Sequence, residues 1–240
     1  MVKMIPDPTR RFARRPYYTE GELDRECEQI TTSFLRKRHG KVRYPFTTED
    51  LGMLIEQEGA DLDSSVDLSR YGQDVEGVTA FRDRRPPEVM ISDQLAGDPR
   101  RENRLRTTLT HEFGHVRFHG FLWAEKFATG DLFAAPAKSG EAICKRDTIL
   151  NARQSDWMEW QAGYISGAIL MPAGAVRRLV DDYCAPRGVH GVVPLSTGHA
   201  LALIQAVQAE HQVSEEAARV RLLALKVLTD GPATSPLFSP

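Results

Sequence analysis

Residues 111–115 read His-Glu-Phe-Gly-His, and this pentapeptide constrains the fold more than any other stretch, because its chemistry requires a helix inside a protein. Residues four apart sit about 40° apart around a helix axis and one turn on, so the His111 and His115 imidazoles share a face. They can converge on one ion at about 2.0–2.1 Å per Zn–N bond. Glu112 lies about 100° round the helix from His111. It does not join the primary contact easily, but it can reach a water beside the metal and accept its proton. Asp98-Pro99 supplies an N-cap followed by proline at the first helical position, and Leu105, Leu109, Phe113 and Val116 then recur at helical spacing. The pattern predicts one amphipathic helix over residues 100–119, with the motif near its end and Gly120 as the stop. The bland alternative is a pair of core or surface histidines on an ordinary helix.

Catalytic zinc usually has three protein ligands and one open position, so a third donor is expected elsewhere. His119 continues the same face, but on a regular helix it lies about 12 Å along the axis from His111, too far for one ion. The related motif that recruits a later histidine uses a glycine turn, and Val116-Arg117-Phe118 contains none. Glu159 is the better candidate. It opens a second helix whose same face carries Ala162, Gly163 and Ser166, small residues that let one backbone approach another. A competing role is open to it, because Asp156-x-x-Glu159 also fits an N-terminal capping box. Asp131, Glu141, Cys144 and Asp147 are further donors in a segment of weaker periodicity.

These residues carry a family resemblance. Leu109-Thr110-His111-Glu112-Phe113-Gly114-His115, then Glu159-Trp160-Gln161-Ala162-Gly163-Tyr164 and Leu170-Met171-Pro172, resemble the ImmA/IrrE family of metallopeptidases over about residues 20–180, with a weaker echo from Val213-Ser214 through Arg221-Leu222. The family pattern runs close to T-x-A-H-E-x-G-H followed by E-x-x-A-N-x-F-A-x-x-L-L-M-P. Here Gly163 stands where Asn is common, and Ile165-Ser166 where Phe-Ala is common. The resemblance implies a zincin-like fold, His111, His115 and Glu159 as metal ligands, and Glu112 as the base. It also implies a narrow regulatory role, cleavage of a helix-turn-helix repressor or antitoxin encoded nearby.

A chain of 240 residues, 41% hydrophobic, fits one large domain or one domain with an appendage. The expected division is a basic, disordered arm over 1–18, a zincin-like domain over 19–183, a helical C-terminal region over 184–230, and a disordered tail over 231–240. The arm carries Arg10, Arg11, Arg14 and Arg15, but a net charge of -2 gives no general attraction to nucleic acid or anionic membranes. No apolar run is long enough to span a bilayer and the N-terminus lacks the apolar core of a secretion signal, so the expected location is cytoplasmic. Three widely spaced cysteines, Cys27, Cys144 and Cys184, do not form a disulfide framework. Cys144, in a long loop before Lys145-Arg146, is a candidate redox-responsive or metal-competing thiol.

Elsewhere the pattern is mixed α/β, an α+β class. Thr19-x-x-Glu22 and Thr47-x-x-Asp50 open helices, the second ending near Gly59. Residues 75–82 and 88–92 form a β-hairpin directly before the motif helix, and its edge would suit an extended substrate. Residues 120–155 carry Phe121, Trp123, Phe127 and Phe133, as a substrate-cleft lid or as satellite core. Helices are expected up to about 183, over 199–211 and over 215–228. The Gln212-Val213-Ser214 turn between the last two resembles a helix-turn-helix, but Glu215-Glu216 opposes phosphate approach, so a packing or partner-docking hairpin is expected rather than DNA contact.

The combined expectation is a zinc endopeptidase using Zn²⁺, with Mn²⁺ as the alternative, and a protein substrate. No residue is identified for the oxyanion: Tyr164, a possible secondary site residue, lies about 140° round its helix from Glu159, and His119, His190 and His199 are candidates without defined geometry. The alternatives are a metal-stabilised protein that sequesters a repressor without cutting it, against which the intact Glu112 argues, and the toxin of a two-protein module.

Overall fold

In the computed structural model, which describes residues 2–129, 139–145 and 156–231, the basic N-terminal segment is folded. Strand β1 (Lys3–Pro6) pairs antiparallel with β2 (Arg14–Tyr17), which corrects the expectation of a disordered arm. Two anchors, Asp7 and Phe12, hold the segment despite its charge. Asp7 accepts hydrogen bonds from the backbone amides of Thr9 and Phe12, both at 3.0 Å, and from the Trp157 indole at 2.9 Å. Phe12 is buried edge-on against Trp123 and Trp157.

Helix α1 (Glu20–His39) starts at the expected capping box, in which Thr19 and Glu22 satisfy each other's end of the helix, and stops at Gly40 in the left-handed region. Helix α2 (Thr48–Gln57) is capped by the Thr47 side chain. Next come β3 (Asp61–Val66), β4 (Val75–Arg82) and β5 (Glu88–Ser92), the last two forming the expected hairpin. Strand β6 (Ser139–Lys145) completes a sheet of order β3-β5-β4-β6, parallel at β3/β5 and antiparallel elsewhere. Strand β4 is therefore flanked on both sides, and the edge beside the motif helix belongs to β6, a segment read from sequence as loop. Trp123 fills the space over Gly140 on β6, leaving no room there for a side chain.

After α3 (Asp93–Ala96), Asp98 caps a 3-10 turn at Pro99–Arg101 and α4 (Glu102–Gly114) begins. The helical path does not stop at Gly120. It widens into a π-helical turn over His115–His119 and continues as α5 (Gly120–Thr129). Of the aromatics in this stretch, Trp123 is buried with Phe12, Phe81 and Trp157, the satellite-core reading, whereas Phe121 is exposed. Asp131, Phe133, Asp147 and residues 232–240 lie outside the described residues.

Helix α6 (Trp157–Leu170) packs along α4, and their approach is closest where the motif's own Gly114 meets Ala162: a Cβ on Gly114 would sit 3.2 Å from the Ala162 Cα. Ser166, on the same face, donates to the Thr107 carbonyl at 3.0 Å and shares a hydrogen bond with Thr110 at 2.7 Å. Helices α7 (Ala173–Cys184), α8 (Gly198–His211) and α9 (Glu215–Ala224) follow, with β7 (Val193–Pro194) and β8 (Leu228–Thr229) paired parallel. Helix α9 thus ends earlier than expected. The C-terminal region is not a separate appendage, because Leu203, Val207, Ala218 and Leu222 belong to the same core as Leu23, Leu109 and Ile169. Buried Arg221 ties it in, donating to the Met171 carbonyl at 3.0 Å and pairing with Asp24 at 2.7 Å.

Candidate metal centre

His111 and His115 face one way from α4 and the start of the π turn, and Glu159 meets them from the first turn of α6. His111 Nε2 lies 3.1 Å from His115 Nε2 and 3.0 Å from Glu159 Oε2, and His115 Nε2 lies 3.5 Å from Glu159 Oε1. Both imidazoles are fully buried and Glu159 is 14% exposed. Three donors at tetrahedral positions about 2.0–2.1 Å from one ion would stand about 3.3 Å apart, and the observed separations bracket that edge. His111, His115 and Glu159 thus form a group that could hold a metal ion.

The two roles open to Glu159 separate here. Asp156 makes no side-chain cap at the start of α6; its carboxylate pairs with Arg11 at 3.4 Å. Glu159 turns inward instead of back along its own helix. Burial pushes its carboxyl up, but the adjacent His115 and the bond to His111 outweigh that and hold it well below the usual carboxylate range.

Glu112 is fully buried but stands apart from the donor group, as its angle on the helix requires. It faces β4, where Thr79 donates to its Oε2 at 2.6 Å. The contact is made through Gly77: a Cβ there would lie 2.5 Å from Glu112 Oε1 and 2.8 Å from Thr108 Cγ2. Thr79 and Gly77 went unnoticed in the sequence. Their signal was faint, a hydroxyl and a glycine interrupting the apolar run of residues 75–82.

His119 is not among the three donors, in keeping with its distance along the helix. It is fully buried, with its Nδ1 3.1 Å from His115 Nδ1 and its Nε2 3.1 Å from Gln161 Oε1. Burial, reinforced by His115, pushes its imidazole down to about 3. Gln161, another residue unnoticed in the sequence, is buried and donates to the Pro16 carbonyl at 3.2 Å.

The remaining candidates lie elsewhere. Tyr164 points away from the metal group and donates to Asp24 at 3.1 Å; burial raises its phenol above the ordinary range. Tyr164 is therefore not a secondary member of the donor group, in keeping with its angle of about 140° from Glu159 on the helix. His199 meets the Tyr183 hydroxyl at 3.1 Å on an exposed surface. Glu141 is exposed and accepts from Tyr71 at 2.9 Å. Cys144 lies not in a loop but on β6, opposite Gly77 of β4.

Among the described residues no helix is long and apolar enough to cross a membrane. No protein-family model matches the chain, and no curated protein matches it.

Proposed function

We propose that the chain is a zinc-dependent endopeptidase with a zincin-like core, acting in the cytoplasm on a specific regulatory protein. The observation that carries this reading is the pairing of a buried His/His/Glu donor set with a second carboxylate, Glu112, on the same helix but outside the set. A structural metal site has no use for that second carboxylate, and a hydrolase does. The donor chemistry fits zinc, since two imidazoles and one carboxylate leave the fourth position that a catalytic ion needs; Mn²⁺ is the alternative occupant. Zinc held there would supply Lewis-acid polarisation of the scissile carbonyl and of a water. Glu112 accepts the proton of the attacking water and returns it to the leaving nitrogen. Thr79 holds that carboxylate against β4 in one orientation. The described sheet ends at β6, whose outer edge offers main-chain groups to an extended segment of substrate.

The substrate class rests on the motif resemblance: a helix-turn-helix repressor or antitoxin encoded beside the gene. The test is incubation of that protein with wild type and with Glu112→Gln, with and without chelator, followed by mass spectrometry of the fragments. Wild type is expected to cut one or a few bonds, and Glu112→Gln to bind metal and partner without cutting. An intact partner with metal-loaded wild type, together with unchanged repressor release by Glu112→Gln, would replace proteolysis with sequestration.

A further inference from the structure

The buried contacts behind His115 form a chain whose direction is fixed from its far end. A backbone carbonyl can only accept, so the Pro16 oxygen on β2 requires the NH₂ of Gln161. That leaves Gln161 Oε1, an acceptor, for His119 Nε2, 3.1 Å away, which must therefore carry a hydrogen. His119 is fully buried; its ring nitrogens meet His115 and Gln161, neither of them a carboxylate, and the Trp157 ring stands edge-on to it at 5.5 Å. In the neutral imidazole one nitrogen donates and the other accepts, so His119 Nδ1 holds a lone pair. It lies 3.1 Å from His115 Nδ1, which must be the N–H. The lone pair of His115 is thereby placed on Nε2, the atom that faces His111 and Glu159.

We infer that His119 and Gln161 are positioning residues that lock His115 into the one tautomer able to ligate, with the Pro16 carbonyl of the N-terminal hairpin setting the polarity of the relay. The inference rests on the metal-site reading above and deepens it. The π-helical turn takes part, because both ends of the His115–His119 contact lie within it. Outer partners of this kind orient a ligand and raise its basicity, and their loss typically lowers metal affinity 10–100-fold.

The first measurement is the nitrogen-15 spectrum of the histidine rings in the wild-type protein at neutral pH, metal-free and zinc-loaded. His119 is expected to carry its proton on Nε2 in both states; a proton on Nδ1 overturns the relay. The second is zinc affinity by competition with a chromogenic chelator. His119→Phe keeps a ring but has no acceptor, and is expected to weaken zinc binding about 10–100-fold. His119→Gln, whose amide oxygen can accept from His115, is expected to recover most of the loss. Gln161→Met is expected to weaken binding with the overall fold retained. Wild-type affinity in both His119→Phe and Gln161→Met, while His111→Ala and His115→Ala lose zinc, refutes the relay and leaves the metal site standing. Unchanged zinc binding in His111→Ala and His115→Ala refutes the metal site itself. If His119→Phe does not fold, the wild-type spectrum and Gln161→Met decide.

Discussion

Adding one methyl group at Gly77 should move Glu112 without touching a metal ligand. The new Cβ would lie 2.5 Å from Glu112 Oε1, about 0.9 Å inside the 3.4 Å at which ordinary contact begins, and 2.8 Å from Thr108 Cγ2. Two effects of opposite sign compete. Replacing glycine by alanine where the backbone permits it stabilises a protein by about 0.4–1 kcal/mol through the unfolded chain, and Gly77 has no positive φ to forbid it. Overpacking a close-packed site costs about 1–3 kcal/mol. Glu112 has little room to retreat, being fully buried with Oε2 held by Thr79 at 2.6 Å, so overpacking should win. Gly77→Ala is expected to be destabilised by about 1–2 kcal/mol, or roughly 2–8 °C in Tm for a chain of this size. Zinc content should stay at the wild-type level while turnover falls, because the displaced group is the proposed base. The double variant Gly77→Ala/Glu112→Ala should recover part of the stability, though not all, since Thr108 remains in the way. Urea melts of the four proteins and metal analysis decide it. An equal penalty with and without the Glu112 carboxylate, or full turnover in Gly77→Ala, would refute the placement of Glu112 against β4.

Glu159→Ala should lose metal as severely as His115→Ala; full metal content with only a weaker helix would return Glu159 to the role of a cap. Arg221→Ala leaves Asp24 without its buried partner and the Met171 carbonyl without its donor, at a cost of about 3–5 kcal/mol, and a loss under 1 kcal/mol in chemical denaturation would show that α9 is held by apolar packing alone. Burial pushes the His211 imidazole down to about 4. The unfolded chain then binds more protons than the folded one between about pH 6.5 and 4, so stability should fall as the pH is lowered through that window, by an order of 3 kcal/mol for this group. His211→Phe should flatten the fall without abolishing it, since buried His119 titrates in the same direction; identical slopes in the two proteins would exclude His211 as a source.

The parts of the site that were legible in the sequence are those set by helical spacing. His111, Glu112 and His115 fall where a helix must put them, and the small residues Ala162 and Ser166 do line the contact with α4. Glu159 was legible as a choice between two roles; the missing Asp156 cap and its position beside His111 and His115 favour the donor role. What escaped was set by long-range pairing. Thr79 reaches Glu112 from 33 residues away and Pro16 reaches Gln161 from 145 away, and no local period encodes either distance. The hairpin of residues 3–17 escaped for a related reason, since Asp7 and Phe12 acquire their meaning only from Trp123 and Trp157. The π turn escaped because its sequence continues the helical pattern without interruption.

These long-range contacts divide the labour at the centre. Helix α4 and the π turn that continues it supply the two imidazoles and the proposed base, α6 supplies the third donor, and two strands distant in sequence hold the side chains those helices present. Strand β4 grips Glu112 through Thr79, while β2 reaches His115 through two intermediates, Gln161 and His119. The proposed base and the candidate ligand are thus restrained by different elements, so the two proposed functions should come apart on mutation. A change at Gly77 or Thr79 should cost turnover while sparing metal affinity, whereas a change at His119 or Gln161 should cost metal affinity first. An arrangement in which both carboxylates and both imidazoles were held by one element would lose the two together, and the same pair of measurements on Thr79→Val and Gln161→Met separates the two cases.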